Sequence, residues 1–171
     1  MARIPYPDIE RSEIAPLADR IRAERGGKIL NLYRMLLHSP PAAAGWLTFL
    51  TAIRQKCSLP PHLRELVIMR IAVLNAAEYE FQAHLPIARE ERVSDAQIQA
   101  LRTGDLKPFE ERERAALAYA EAMTRSIRVP DEVFAAVRRQ FDDRGIVELT
   151  ATVGAYNLVS RFLEALQVDH E

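Results

Sequence analysis

The sequence predicts an all-α protein, and three observations carry that expectation. Apolar residues recur at three- and four-residue intervals along most of the chain, which is the period of one helix face. No segment of four or more residues alternates convincingly between apolar and polar, so nothing reads as a strand. The 10 prolines mostly stand where a helical run begins, while glycine, at 6 residues, is scarce. Proline is tolerated in a first helical turn because its missing N–H would have no partner there.

The elements follow in order. A first helix is predicted over residues 12–25, with Ile14, Leu17, Ala18 and Ile21 on one face and Gly26-Gly27 ending it. Residues 29–37 form a short second helix. A third covers 41–56, with Ser39 as its candidate N-cap and Trp46, Leu47, Phe49, Leu50 and Ile53 apolar on several sides. The fourth, 61–74, follows Pro60-Pro61 and is apolar nearly all round, the mark of a central helix. Asn75 interrupts it before a fifth helix over 76–91. Ser94 caps a short helix over 95–101. Further helices are predicted over 110–125, 131–141 and 146–166, each with an apolar face such as Val133, Phe134, Val137 and Phe141. No 20–50-residue repeat is present. Residues 1–40 read as an N-terminal helical arm and 41–171 as the helical domain proper.

Composition narrows the function classes. The 171 residues suit one domain of ordinary size, and 49% of them are hydrophobic. With 23 Lys+Arg against 24 Asp+Glu, the net charge of −1 gives no reason to expect a nucleic acid or a membrane surface as partner. The chain start lacks an apolar leader, and no uncharged apolar stretch reaches bilayer length, so a cytoplasmic protein is expected. The one cysteine, Cys57, excludes a disulfide framework or a multi-cysteine zinc site. No glycine-rich loop offers a phosphate cradle.

Chemistry concentrates between Leu63 and His84. Here Arg64, Glu65, Arg70, Glu78, Glu80 and His84 interrupt an otherwise apolar helical region. Buried charge is costly unless paired, so the pattern points to a lined cavity or a buried ion-pair network. Glu80 and His84, four apart, share a helix face. Two such ligands without a second nearby His or Cys do not make a metal site, and none is expected.

The opening Leu63-Arg64-Glu65-Leu66, the run Glu78-Tyr79-Glu80-Phe81 with His84 three residues on, and Val93-Ser94-Asp95-Ala96-Gln97-Ile98 followed by Leu101 resemble the core block of the carboxymuconolactone decarboxylase family, which includes alkylhydroperoxidase D-like proteins. Glu148-Leu149, Val153-Gly154-Ala155-Tyr156-Asn157 and the segment 163–168 resemble its ending. The family's redox branch carries Glu, Cys-x-x-Cys and His at fixed spacing. Glu65 and His84 match its Glu and His, whereas Ala77 and Glu80 stand at the two cysteine positions.

The resemblance implies a single-domain AhpD-like helical bundle of about seven to nine helices. It also implies a homo-oligomer, a trimer or hexamer with a dimer as the smaller alternative, with a small-molecule substrate and no cofactor. The function expected is a cofactor-independent decarboxylase or proton-transfer enzyme acting on a small acidic lactone or carbonyl compound. His84, Glu80 and Glu65 are the expected catalytic residues, and Arg70, Arg64, Glu78 and Tyr79 the expected substrate-binding ones. The alternatives are a thiol peroxidase, disfavoured by the missing cysteines, and a non-catalytic helical oligomer. One departure stands out: where the family usually has glycine before Val93-Ser94, this chain has Arg92.

Overall fold

The computed structural model describes residues 1–171 and contains nine α-helices and no strand. They are α1 (Ala15–Glu24), α2 (Asn31–Leu36), α3 (Pro40–Gln55), α4 (Pro61–Leu74), α5 (Glu78–Glu90), α6 (Asp95–Thr103), α7 (Glu111–Ser126), α8 (Asp131–Gln140) and α9 (Asp143–Leu166). Each predicted run is a helix, with ends displaced by three residues at most. α9 starts early because the Asp142 carboxylate accepts the Gly145 N–H at 2.8 Å, satisfying a first-turn donor. Ser94 caps α6 through a reciprocal capping box with Gln97. Ser39 stands at the N-cap of α3 but makes no side-chain cap bond; Pro41, at the second helical position, removes one of the two donors that such a cap would satisfy. No helix is long and apolar enough to cross a membrane.

The chain forms two compact units, residues 1–56 with 163–171, and residues 57–162. The expected border at residue 40 falls inside the first. In that unit α1 and α2 pack on α3. Arg25 joins them, donating to Tyr33 Oη at 3.0 Å and Thr51 Oγ1 at 2.9 Å. The N-terminal segment is tied down by Arg3 N–H to Leu166 O at 2.9 Å, and by Tyr6 to Asp169.

In the second unit α4 is central. Ten consecutive residues, Leu63 to Ala72, are buried, as an all-round apolar helix requires. It packs on α5, α6 and α7, and α8 packs on α7. Leu66, Met69, Phe81, Ile98, Leu101, Phe109 and Leu117 share one apolar core. Polar bonds hold α9 in register: Tyr119 Oη to Thr150 Oγ1 at 2.8 Å, and Asn157 to both Asn75 and Thr124.

α4 and α5 end alike. The Ala77 N–H reaches back to Ala72 O, and the Val93 N–H to Ala88 O, the six-to-one bond of a helix stop. The residue before each donor must turn left-handed. It is Ala76 (φ 53°) in one case and Arg92 (φ 66°) in the other. A Cβ is strained there by ~1–2 kcal/mol, while glycine is free but loses more chain entropy on folding. Arg92→Gly is therefore expected to stabilise the fold by roughly 0.5–1 kcal/mol. The check is the urea unfolding midpoint, which should rise with an unchanged slope.

Candidate functional site

Three helices of the second unit supply the site. The proline start of α4 sets the register that buries Glu65 in its second turn. The short turn after Asn75 returns α5 against α4, bringing His84 opposite. Glu65 is 0% exposed, and its carboxylate accepts from two partners. Arg64 Nε donates to Oε1 at 3.3 Å, and His84 Nδ1 lies 2.6 Å from Oε2. A buried carboxylate is tolerable on these terms, since it is paired and its oxygens are satisfied.

The contact also selects a tautomer. With Glu65 ionised the carboxylate only accepts, so Nδ1 is the donor and Nε2 is the nitrogen turned away from it. His84 and Arg64, 7% and 8% exposed, bring the site to the edge of the interior. The imidazole stands edge-on to the Tyr156 ring, centroids 5.3 Å apart and planes at 83°. That contact restrains the plane of the imidazole.

One helical turn before His84, the Glu80 carboxyl accepts a hydrogen bond from the Ser160 hydroxyl of α9. Ser160 also lies 2.9 Å from the Tyr156 carbonyl oxygen. Both side chains are buried. The sequence analysis did not single out Ser160. Its one trace is a hydroxyl within the apolar run Leu158-Val159-Ser160, four residues after Tyr156.

The remaining expected binders lie in other networks. Arg70 donates to Leu101 O at 2.7 Å and to Glu121 Oε2 at 2.6 Å, tying α4 to the end of α6 and to α7. Gly104 leaves room for it: a Cβ there would sit 3.1 Å from the guanidinium. Glu78 is bound by Arg102, whose guanidinium also stacks on Phe81, and by Gln82. Tyr79 is buried on α5. The structure thus brings together Glu65, His84 and Arg64, and sets Glu80 against Ser160. It places Arg70 and Glu78 elsewhere.

Ala77, fully buried, and Glu80 occupy the two positions that resemble a cysteine pair. Cys57 lies just before α4, and burial with the nearby Glu148 charge pushes its thiol above the ordinary range, although Arg144 and Arg64 pull the other way. No group of three or more His, Cys, Asp or Glu side chains converges on a metal-sized space. Two surface clefts, of about 500 and 300 Å³, are lined by residues between 96 and 108 and by residues between 106 and 140; neither is lined by the Glu65 cluster.

Two measurements check these electrostatics. A raised thiol holds less thiolate at any given pH, so Cys57 should react with iodoacetamide at neutral pH more slowly than free cysteine, and catch up as pH rises. The rate is read by intact mass. For Glu121, burial raises the carboxyl, but bonds from Arg70 and Arg125 outweigh it and hold the group below its ordinary range. That stabilisation is present above the unfolded carboxylate range and lost as pH falls through the lowered value. Glu121→Gln should flatten the acid limb of the stability curve, followed by circular dichroism.

A sequence model of the carboxymuconolactone decarboxylase family matches residues 40–122. The chain is 32% identical over 126 residues to the uncharacterized protein YnjA of Escherichia coli K12, an alignment covering 72% of this chain and 66% of that protein. An uncharacterized peroxidase-related protein of Ralstonia eutropha JMP134, with an alkylhydroperoxidase AhpD core, superposes with a TM-score of 0.84 at 20% identity, over 99% of this chain and 92% of that one. A cysteine-to-alanine variant of the debrominase Bmp8, in complex with 2,3,4-tribromopyrrole, gives 0.82 at 19% identity, over 100% and 94%. At such identities these likenesses establish the fold alone.

Proposed function

The chain belongs to the carboxymuconolactone decarboxylase family, and from that premise we propose that it is a cofactor-independent enzyme that decarboxylates, or moves a proton on, a small acidic lactone or related carbonyl compound. The observation that carries this reading is the buried Glu65–His84 contact at 2.6 Å. It holds an imidazole in one tautomer at the edge of a dry site, which is the arrangement of a general acid or base.

The chemistry needs no bound cofactor. Arg64, beside the pair, supplies a cation for the substrate carboxylate. As the bond to that carboxylate breaks, carbon dioxide leaves and the electron pair passes into the conjugated lactone carbonyl, giving a dienolate. The Nε2–H of protonated His84 delivers one proton to carbon, and the imidazole regains it from solvent after product leaves. Glu65 stabilises the imidazolium before transfer and keeps Nε2 aimed. Burial favours loss of carboxylate charge to neutral carbon dioxide.

A thiol-peroxidase reading lacks its attacking group. Ala77 and Glu80 stand where the thiols would be, and Cys57 is shifted away from the thiolate.

The test is turnover of 4-carboxymuconolactone by purified protein, followed as loss of lactone absorbance and release of carbon dioxide. His84→Ala should lower kcat by about 10²–10⁴, the usual contribution of a positioned acid. Wild-type protein that is folded yet inactive would discard this substrate. Equal turnover by the folded variant would remove His84 from the mechanism.

A further inference from the structure

Two helices turn apolar faces to solvent. On α3, Ala42, Gly45, Phe49 and Ala52 recur at intervals of three and four, and residues 40–53 hold no charge. Phe49 is 42% exposed; Ala42 and Gly45 are exposed and Ala52 is half-buried. On α9, Val147, Ala151, Gly154 and Leu158 recur in the same way, and residues 149–160 are uncharged. Val147 is 67% exposed and Leu158 48%, with Gly154 exposed and Ala151 half-buried between them. A lone exposed apolar residue is ordinary, but a helix facing water normally shows it a polar stripe.

The two glycines sharpen the point. Glycine weakens a helix interior and is of use there where a side chain would block a close approach. Within the chain it would block nothing. A Cβ at Gly45 meets no atom within 4 Å, and one at Gly154 meets only Met123 Cε at 3.9 Å, an ordinary contact. The approach that the glycines permit is therefore by something outside the chain. We propose that α3 packs antiparallel on α9 of a second copy of this chain, with Phe49 over the partner's Gly154 and Gly45 under the partner's Leu158. This surface is independent of the proton-transfer reading.

Register, size and charge all fit that occupant. Read in opposite directions, the two faces step by the same intervals, so Gly45 meets the partner's Leu158, Phe49 the partner's Gly154 and Ala52 the partner's Ala151. The first two layers set a large side chain against none, and the third sets small on small, as ridges require grooves. Charge agrees at both ends. Lys56, just past the end of α3 and exposed, falls level with the partner's Val147, one turn from the partner's Asp143. At the other end Ser39 falls level with the partner's Glu164. α3 has no acidic residue in its first turn and no side-chain cap bond, so a carboxylate there complements its dipole. An uncharged stripe gives a nucleic acid or a charged peptide nothing to hold; it fits an apolar helix of matched spacing, which this chain itself carries. A stable interface takes roughly 800 Å² per partner. Each copy offers two helix faces and so enters the contact twice, reciprocally in a dimer or in sequence around a ring.

Sedimentation velocity on the full-length protein tests the contact. Wild-type protein should sediment as a multiple of the 19.4 kDa chain. Phe49→Glu and Leu158→Glu should each raise the dissociation constant by at least about tenfold, with the circular dichroism of wild type. Gly45→Leu, which has room within the chain, should do the same. Register is read by cross-linking in a Cys57→Ser background. A disulfide needs Cα atoms within about 7 Å, so it reports the close approach directly. Ala52→Cys chains co-expressed with Ala151→Cys chains should oxidise to a linked pair, whereas either kind alone, or Ala52→Cys with Val147→Cys, should not. A 19.4 kDa species at every concentration would overturn the proposal and leave the two faces to a different protein. So would an assembly unchanged by both glutamate variants, or linkage no greater in the matched pair than in the mismatched one. Should a glutamate variant fail to fold, Gly45→Leu and the cross-link still decide.

Discussion

The carboxylate of Glu65 is the constraint to which the second unit is built. It is fully buried on the most buried helix, and its stability depends on Arg64 Nε and His84 Nδ1 both reaching it. His84 arrives only if α5 returns against α4 in one register. That register is set by the turn at Asn75 and Ala76, where the Ala77 N–H closes on Ala72 O and Ala76 accepts a left-handed conformation. A slip of one residue would rotate His84 by about 100° around α5 and leave a buried charge half-satisfied, at a cost of roughly 3–5 kcal/mol. An apolar pair of similar volume would hold the helices together equally well. The buried charge is therefore not what makes the helices adhere.

The two arginines of α4 divide the labour. Arg64 lies beside Glu65 at the edge of the interior and belongs to the site. Arg70, six residues on, lies about 240° further round the helix and turns to the other side. There it caps the Leu101 carbonyl, near the end of α6, and binds Glu121 of α7. One face of the central helix thus carries the Glu65 cluster with α5 and α9, while another secures α6 and α7. The left-handed Arg92, ending α5, adds strain close to neither network, and Val93 after it is buried in the apolar core.

Much of this was legible along the chain, because helices form from contacts three and four residues apart. Proline starts, the Ser94 cap and the all-round apolar pattern of α4 are local features, so their reading held. Ser39 takes the N-cap position of α3 without a side-chain cap bond, and the Pro41 that lacks a donor for one already stands in the sequence. Glu65 and His84 are nineteen residues apart; each matched a family position in the sequence, but that they pair emerged only from the fold.

What no local pattern contains is which distant side chains meet. Glu80 and Ser160 are eighty residues apart, and Arg70 and Glu121 fifty-one. Each carries the same side chain wherever it lands. Whether Arg70 binds a ligand or a helix end, and whether Glu80 meets solvent or a single-hydrogen hydroxyl, depends on how α6, α7 and α9 dock on the hairpin of α4 and α5. Periodicity along the chain states which face of a helix is buried. It does not state which neighbour buries that face, and the chemistry of a buried polar group is set by that neighbour.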